Sequence, residues 1–210
     1  MKLPHRSLRL LAACARTAAV STLARYAAPA TVCGAPGRRV LCLGDGDLSC
    51  SAALADAGID VTATTLDTRD DLHRKYGEEA AARFDRLGAM GGVDATRPPD
   101  FGEAFDRVIF NFPHAPGKQN IRRNRELLHE VCGAAPLAPG GELLIALDGG
   151  QGGCAGELPQ GQQARREAWN RSWQLDVAAA ENGLVVAEAL PFEPFYGTRG
   201  HRGEGKARAF

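Results

Sequence analysis

The chain has 210 residues, 44% of them apolar, which is enough for one hydrophobic core. Its 25 basic and 25 acidic side chains balance, but residues 1–39 hold seven basic residues and no acid, so the remainder is acidic. No apolar run approaches the roughly 20 residues of a membrane-spanning helix. The six cysteines form no CxxC pair and do not cluster with the five histidines, which argues against a metal site and a disulfide framework.

The acid-free N-terminal segment has the composition of an organellar targeting peptide. Residues 1–36 are rich in Arg, Ala and small hydroxyl residues, and Arg9 and Arg16 interrupt the apolar run that a secretory signal needs. We predict a transit peptide for a mitochondrion or plastid, with a disordered extension or a misassigned start as the alternative. The folded domain is expected over residues 37–210.

From Arg39 onward, strand patterns alternate with helix patterns. The first strand is RRVLCLG, and the first helix is DLSCSAALADAG, capped by Asp47 or Ser49 and ended by Gly58. The second strand is IDVTATTLD. A helix over TRDDLHRKYGEEAAARFDRLGAM follows, with Gly77 as a candidate break, and a third, short strand is predicted near GGVDAT.

The same alternation continues in the second half of the chain. The fourth strand is FDRVIFNFP, the next helix NRELLHEVCGAAPLA and the fifth strand GGELLIALD. Residues 149–163, rich in Gly and Gln, are predicted to be a flexible loop before the helix REAWNRSWQLDVAAAENG, the strand LVVAEALPF and a basic tail. This order predicts an α/β fold: a largely parallel sheet with helices on both faces.

Polar residues follow the predicted strands at the positions where ligands bind. In an open parallel sheet, ligands bind outside the carboxyl ends of the strands. The sequence places four groups there: GDGDLS after the first strand, Asp67 after the second, Asp94 after the third, and NFPH, residues 111–114, after the fourth. We therefore expect these groups to form one site.

The turn GDGDLS combines the glycines of a nucleotide-binding turn with two acids. A dinucleotide fingerprint GxGxxG would have a glycine where Ser49 stands, and Asp45 and Asp47 would repel a pyrophosphate. S-adenosylmethionine has no phosphate and is cationic at its sulfonium and amino groups. Gly44 and Gly46 can admit that cofactor, and one aspartate can face its charge while the other caps the helix.

The acids that follow the second and third strands, Asp67 and Asp94, could bind the ribose and the adenine of such a cofactor. Asp67 lies 21 residues beyond Gly46, where an acid accepts hydrogen bonds from ribose hydroxyls. Asp94 can accept from the adenine amino group. Each could also be an ordinary loop acid, and their joint occurrence at successive strand ends favours the ligand-binding interpretation.

Together these motifs resemble a known family. The series VLCLGDGDLSCSAALA, ATTLDT, GVDAT, FDRVIFNFPHAPGKQNIRRNRELL and GGELLIAL is similar to the eukaryotic Rossmann-like methyltransferases that methylate N3 of a uridine in large-subunit ribosomal RNA. The resemblance covers roughly residues 39–150. It implies a class I methyltransferase fold, S-adenosylmethionine as cofactor and ribosomal RNA as substrate.

The chain also departs from that family's pattern. Leu48 and Cys50 stand where the family has phenylalanines, and the Gly-rich loop replaces a more regular connection near the substrate side. The family's established member is nucleolar. The nucleolus, nucleus or cytoplasm are therefore the alternatives to the organelle that the N-terminal segment predicts.

The motif NFPH contains the side chains that methylation of a base nitrogen requires. Asn111 offers a donor and an acceptor to the edge of a base, Phe112 offers a stacking face, and Pro113 stiffens the turn. His114 can accept the proton that leaves a uracil N3. The alternative is that Phe112 belongs to the core, Pro113 ends the strand and His114 is a solvated loop residue.

An RNA substrate also needs cations near the site. Lys118, Arg122 and Arg123 follow NFPH, and further basic residues lie nearby and in the tail, namely Arg125, Arg199, Arg202, Lys206 and Arg208. A solvated charged face is the alternative for both groups.

The sequence thus predicts an RNA methyltransferase that depends on S-adenosylmethionine, with RNA as partner and neither membrane nor metal. A non-catalytic, methyltransferase-like protein that binds RNA or the ribosome is one alternative. An NAD(P)-dependent oxidoreductase is the other, disfavoured by Ser49 and the acidic turn.

Overall fold

A computed structural model describes residues 6–12, 39–117, 120–155, 157–192 and 195–196, the first range by its backbone alone. The strands are β1 (Arg6–Ala12), β2 (Val40–Cys42), β3 (Val61–Ala63), β4 (Phe105–Asn111), β5 (Leu137–Leu147) and β6 (Leu184–Pro191). The helices are α1 (Ser49–Asp56), α2 (Arg69–Tyr76), α3 (Glu78–Leu87), α4 (Ile121–Ala134), α5 (Gln162–Arg171) and α6 (Leu175–Glu181).

The strands of the described residues form one sheet in the order β3-β2-β4-β5-β1-β6, and every neighbouring pair is parallel. The predicted α/β fold with a parallel sheet is confirmed. From β2 the chain moves outward to β3 and then returns to β4 on the other side of β2. The strand order therefore reverses between β2 and β4, and a crevice outside their carboxyl ends is where such sheets bind ligands.

Alternate residues of the central strands supply two cores, one on each face of the sheet. Val108 of β4 and Ile145 of β5 lie in one core with residues of α4 and α6. Ile109 and Leu144 point to the opposite face and lie in a second core with Leu54 of α1. This alternation follows from the two-residue period of a strand, and it explains why helices cover both faces.

The predicted break at Gly77 separates α2 from α3. Gly77 has a φ of +87°, a conformation that favours glycine, and it ends α2 and begins α3. At the start of α2, Thr68 and Asp71 form a reciprocal capping box. The two helices enclose a third small core that includes Leu72 and Ala80.

Two predicted elements differ from the structure. In place of a third strand near GGVDAT, the described chain has an isolated parallel bridge between Met90 and Thr64. The short, glycine-flanked segment has too few residues for a longer ladder. The single helix predicted after the loop is two helices, α5 and α6, because the chain turns at Ser172 and Gln174 has a left-handed φ of +53°.

The predicted loop of residues 149–163 packs in part against the body of the protein. The Glu157 carboxylate accepts hydrogen bonds from the backbone N–H groups of Gly150 at 3.1 Å and Cys154 at 3.3 Å. Cys154 is buried, and Gly153 lies so close to Ser172 that a Cβ atom would overlap the Ser172 hydroxyl. The first half of the predicted flexible loop is therefore anchored by contacts with the protein, and α5 begins within the last two residues of the loop.

The N-terminal segment contributes a strand that the sequence did not predict. Arg6–Ala12 forms β1, which lies between β5 and β6 and pairs with both. The structure thus places part of the predicted extension inside the sheet, whereas the rest of residues 1–36 lies outside the described residues. The transit peptide stays a prediction.

Three cysteines pack in the cores as small apolar side chains. Cys42, Cys50 and Cys132 are buried free thiols within the cores. No helix among the described residues has the length and the apolar character to cross a membrane.

Candidate functional site

The glycine turn that follows β2 lies at the strand-order reversal, between two aromatic rings. Gly44 has a φ of +58°, and a Cβ atom there would stand 3.1 Å from the ring of Phe110. A Cβ atom on Gly46 would stand 3.4 Å from the hydroxyl oxygen of Tyr76. Glycine at residue 44 is thus required by both backbone conformation and close approach. Residues 44–46 are partly exposed, so a ligand can reach this turn.

Both aspartates of the turn bind N–H groups in the first turn of α1. The Asp45 carboxylate accepts from the backbone N and the Oγ of Ser51, each at 2.7 Å. The Asp47 carboxylate accepts from the backbone N of Ser49 at 3.1 Å and from its Oγ at 2.5 Å. Leu48, directly before α1, has no side-chain cap to offer. Both aspartates therefore cap the helix, and they use donors that a phosphate at this helix N-terminus would need.

The two aspartates differ in whether a cationic side chain lies next to the carboxylate. The Asp47 carboxylate lies 3.5 Å from the guanidinium of Arg83 in α3, which also donates to the Asp47 carbonyl at 3.2 Å. Burial raises the pKa of Asp45 to about 6, the nearby Asp47 adds to this rise, and hydrogen bonds from Ser51 oppose it. The hydrogen-bond donors to Asp45 are neutral groups. Asp45 is thus the carboxylate whose charge a cationic ligand would stabilise most.

Asp67 lies beside the same turn. Thr65 links the two, because its Oγ1 donates to the carbonyl of Gly46 at 3.4 Å and accepts from the backbone N of Asp67 at 3.3 Å. Burial raises the pKa of Tyr76, and the carboxylates of Asp67 and of both turn aspartates add to this rise. The carboxylate of Asp67 pairs with Lys75. A ribose bound here would share Asp67 with that lysine.

Asp94 occupies a more peripheral position. It is exposed, and its carboxylate accepts hydrogen bonds from the backbone N of Thr96 at 2.9 Å and from its Oγ1 at 2.7 Å. The segment is joined to the end of β3 through Val93, whose N–H donates to the carbonyl of Thr65. The hydrogen bonds of the described residues do not connect the Asp94 carboxylate to the glycine turn, so its role at the adenine stays a prediction.

Asn111 ends β4 next to the start of α1. Its Nδ2 donates to the Sγ of Cys50 at 3.3 Å and to the hydroxyl oxygen of Tyr196 at 2.8 Å. Cys50 belongs to the first turn of α1, so Asn111 and the glycine turn are neighbours. Phe112 then has a φ of +46°, which is unusual for a residue with a side chain, and its N–H donates to the carbonyl of Ala146.

The remaining residues of NFPH pack against different parts of the fold. The Phe112 ring meets the Phe192 ring edge-to-face at 5.0 Å and packs against the core around α1, as the core alternative predicts. Pro113 is buried. His114 is half-buried, with its ring centroid 6.2 Å from that of buried Trp173. Asn111 and His114 therefore flank a turn whose middle is anchored in the protein.

Of the basic residues predicted to contact RNA, Arg122 and Arg123 are exposed and Arg125 is half-buried. Arg122 pairs with Glu126 at 2.9 Å, and Arg123 donates to the carbonyl of Pro116 at 3.5 Å. Lys118 and the basic tail residues 199, 202, 206 and 208 lie outside the described residues. In the part of the chain that is described, no three His, Cys, Asp or Glu side chains converge as a metal site would require.

The family model of BMT5-like rRNA (uridine-N3-)-methyltransferases matches residues 41–196, which include the glycine turn, Asp67, Asp94 and NFPH. The chain belongs to this BMT5-like family. The resemblance that the motifs indicated is thereby confirmed.

The relatives of this BMT5-like chain are longer than it is. The ferredoxin-fold anticodon-binding domain-containing protein 1 homolog of Mus musculus is 36% identical over 190 residues, which cover 80% of this chain and 29% of the mouse protein. Heavy metal-associated isoprenylated plant protein 41 of Arabidopsis thaliana is 31% identical over 189 residues, covering 80% of this chain and 33% of that protein. The chain thus spans about three-tenths of the length of these relatives.

One solved structure shares part of the fold of the BMT5-like chain. The crystal structure of Streptomyces venezuelae DesVI matches 52% of this chain and 42% of its own, with 14% sequence identity and a TM-score of 0.35. That similarity is too low to carry an argument about the site.

Three residues of the BMT5-like site were not predicted from the sequence. Tyr76 lines the glycine turn, Arg83 neutralises Asp47, and Tyr196 binds Asn111. They come from α2, α3 and the segment after β6, far along the chain from their partners. Of the three, Tyr76 could have been suspected from the sequence, because it lies in the predicted helix that follows Asp67, the acid at the end of the second strand.

Replacement of Asp45 by asparagine should stabilise the protein and weaken cofactor binding. The folded-state pKa of about 6 exceeds the ordinary value of 3.8, so folding loses stability as the pH rises from about 4 to about 6, and the full cost is present above 6. At pH 7.5, Asp45→Asn should therefore raise the unfolding free energy by about 1–2 kcal/mol and Tm by about 3–6 °C. At pH 4 the gain should nearly vanish.

The same variant should lower the affinity for S-adenosylhomocysteine, the demethylated form of the predicted cofactor with the same amino group, by about tenfold because a charge attraction is lost. Thermal melts and calorimetric titrations measure the two effects. Asp60→Asn, which removes an exposed carboxylate before β3, serves as the matched control. An Asp45→Asn variant that is less stable at pH 7.5 and binds unchanged would assign Asp45 to helix capping alone.

Proposed function

We propose that this chain is an S-adenosylmethionine-dependent methyltransferase that methylates N3 of a uridine in ribosomal RNA. The observation that carries the proposal is the juxtaposition of Asn111 with the glycine turn, joined through Cys50 at the start of α1. A cofactor in the glycine turn and a base held by Asn111 would then meet at the carboxyl ends of β2 and β4. Family membership supports the same reaction class.

The glycine turn fits a cationic cofactor better than a dinucleotide. The first-turn N–H groups of Ser49 and Ser51 are bound by the chain's own carboxylates, so a pyrophosphate would meet negative charge in place of free donors. Asp45, with its raised pKa, would be stabilised by a bound cation. The oxidoreductase alternative is correspondingly disfavoured.

The chain's own residues would position the acceptor base and manage its proton. When bound, S-adenosylmethionine supplies an electrophilic methyl group on a cationic sulfur. Asn111 would hold the Watson–Crick edge of the base in line with that methyl group, an alignment that accounts for much of such catalysis. The N3 proton of uracil must leave as the N–CH₃ bond forms, and His114, three residues beyond Asn111, is the side chain nearest in sequence that can accept it.

An unstacked nucleotide is needed for this geometry, because N3 of a paired uridine is covered by its partner. The turn at residues 112–113, in which Phe112 is half-buried and Pro113 buried, and the half-buried His114 would give such a base a fixed surface to rest on. The phosphates on either side of the flipped nucleotide would then lie against the surfaces of α4 and α5.

Transfer of labelled methyl groups tests the proposal. Purified protein is incubated with methyl-labelled S-adenosylmethionine and ribosomal RNA from cells that lack the protein, and the RNA is digested and analysed by nucleoside mass spectrometry. We expect label in N3-methyluridine. Cofactor binding without incorporation into any RNA fraction would favour the non-catalytic, RNA-binding alternative.

Helix α5 is a candidate surface for the RNA phosphates. It buries none of its ten residues, and it carries Arg165, Arg166 and Arg171 with one acid, Glu167. Arg125 of α4 donates to backbone carbonyls at the end of α5 and after it, at 2.7 and 2.8 Å. This places the basic helix beside Trp173 and therefore close to His114.

Removal of two α5 charges should weaken RNA binding without affecting the cofactor. For Arg165→Gln combined with Arg166→Gln, the slope of log affinity against log salt should fall by about 2. Arg74→Gln combined with Arg86→Gln, in α2 and α3, removes the same charge from other surfaces and should leave the slope within about 0.5. Equal slopes for both double variants would show that α5 is only a solvated charged helix. Fluorescence anisotropy with a labelled RNA measures the slope.

A further inference from the structure

Tyr76 directs its hydroxyl group to the glycine turn from the last turn of α2. Its ring packs against the third small core, which includes Leu72 and Ala80. The hydroxyl oxygen stands 3.4 Å from the place that a Cβ atom on Gly46 would occupy, so it borders the space beside that glycine. The ring is therefore anchored in the protein, while the polar end of the side chain lies at the turn where the cofactor would bind.

The Tyr76 hydroxyl group has no hydrogen-bond partner within the part of the chain that the structure describes. Tyr76 is half-buried. Burial raises the pKa of its phenol, and the carboxylates of Asp67, Asp47 and Asp45 add to this rise. The phenol thus keeps its proton and is an unused donor beside the glycine turn.

The Tyr76 hydroxyl group and Asp67 lie beside the same glycine. Of the three carboxylates, that of Asp67 acts most strongly on the phenol, which indicates that these two groups are close together. Thr65 fixes Asp67 next to the turn, since its Oγ1 donates to the carbonyl of Gly46 and accepts from the backbone N of Asp67. A donor and an acceptor therefore meet at Gly46.

A ribose needs both kinds of group. When its 2′ and 3′ hydroxyl groups donate to a carboxylate, their oxygens keep lone pairs that a donor can bind. Lys75 is the other donor near Asp67, but it is exposed and its ammonium group already pairs with that carboxylate. Tyr76 has no such competing partner among the described residues, so it is the donor best placed for a ribose oxygen.

We propose that the Tyr76 hydroxyl group donates a hydrogen bond to a ribose hydroxyl oxygen of S-adenosylmethionine and, together with Asp67, selects a ribose over its deoxy forms. This inference rests on the proposed function. Tyr76 would bind the cofactor and take no part in the transfer of the methyl group. Its hydroxyl group is therefore expected to affect KM for the cofactor and to leave kcat at saturating cofactor unchanged.

Calorimetric titration with two ligands tests the proposal: S-adenosylhomocysteine and its 2′,3′-dideoxy analogue, which lacks both ribose hydroxyl groups. Tyr76→Phe should weaken binding of S-adenosylhomocysteine about fivefold. It should bind the dideoxy analogue as the wild type does, because the group that the phenol would contact is gone. Thr62→Val, which removes a hydroxyl group from edge strand β3, is the control and should bind both ligands as the wild type does. Equal losses for the two ligands would overturn the proposal.

Thermal melts of the ligand-free protein separate this binding role from a structural one. The hydroxyl group has no partner to lose among the described residues, so Tyr76→Phe should change Tm by less than about 2 °C. A fall of about 5 °C or more would assign the hydroxyl group to the fold and overturn the proposal. If the wild type does not bind S-adenosylhomocysteine, the proposed function fails and this inference with it. If the wild type and Tyr76→Phe bind it equally, this inference alone fails.

Discussion

Asn111→Ala should lower kcat for methyl transfer at least about 100-fold while affinity for S-adenosylhomocysteine stays within about twofold. Asn111 lies at the end of β4, on the side of the site where the base would bind, and is joined to the glycine turn through Cys50 in the first turn of α1. Loss of its amide should misplace the base without opening the cofactor turn. Single-turnover transfer of labelled methyl groups measures the chemical step, and calorimetry measures cofactor binding.

The control for this variant is Asp60→Ala, which removes an exposed polar side chain before β3. It should leave kcat within about twofold. Because Asn111 Nδ2 also bonds Cys50 and Tyr196, some loss of stability is expected, and assays are run well below Tm. Full activity of Asn111→Ala would show that Asn111 has no catalytic role. The resemblance of NFPH to a methyltransferase motif would then not reflect catalysis by this residue.

Removal of residues 1–35 should destabilise the domain by more than about 3 kcal/mol and lower Tm by about 10 °C or more. This deletion removes β1, which pairs along its length with both β5 and β6. Without β1, strand β6 has no neighbour among the described strands, and the hydrogen-bonding edge of β5 is exposed. Thermal melts followed by circular dichroism measure the effect on the deleted and full-length chains.

The deletion also tests the transit-peptide prediction. Cleavage of a targeting peptide near residue 35 would remove β1. A mature protein formed by that cleavage therefore cannot contain this strand. Deletion of residues 1–5, which leaves β1 intact, is the matched control and should melt as the full-length chain does. Unchanged melting after removal of residues 1–35 would show that β1 is not needed by the fold and would support targeting and cleavage.

The sequence predicted the parts of the fold that depend on local patterns. Val108, Ile109 and Phe110 alternate between two cores, and the β-branched and apolar run made β4 recognisable. Gly77 separates two helices because its positive φ favours glycine, and glycine is the usual mark of such a break. These features need only a few consecutive residues to be identified.

The features that the sequence did not predict depend on long-range contacts. The arginines of residues 6–12 resemble a targeting peptide, and nothing local indicates that β5 and β6 leave room for a strand between them. Burial of Cys154 depends on Glu157 binding the loop's N–H groups and on Gly153 fitting against Ser172. A Gly- and Gln-rich composition conceals both contacts.

The same limit applies to the candidate site. Sequence position identified Asp45 and Asp47 but could not distinguish a helix cap from a ligand-facing acid, because both lie within reach of the first turn of α1. The structure shows that both aspartates cap α1, and that they differ because Arg83, from a different helix, neutralises Asp47. Tyr196 reaches Asn111 only after the whole sheet has formed, so no local motif could have indicated it.

The central claim is that the glycine turn binds S-adenosylmethionine and not a dinucleotide. Calorimetric titration of the purified full-length chain with S-adenosylhomocysteine and, separately, with NADH tests it most directly. We expect saturable one-to-one binding of S-adenosylhomocysteine that is weakened in Asp45→Asn, and no heat of binding for NADH. Binding of NADH without binding of S-adenosylhomocysteine would contradict it.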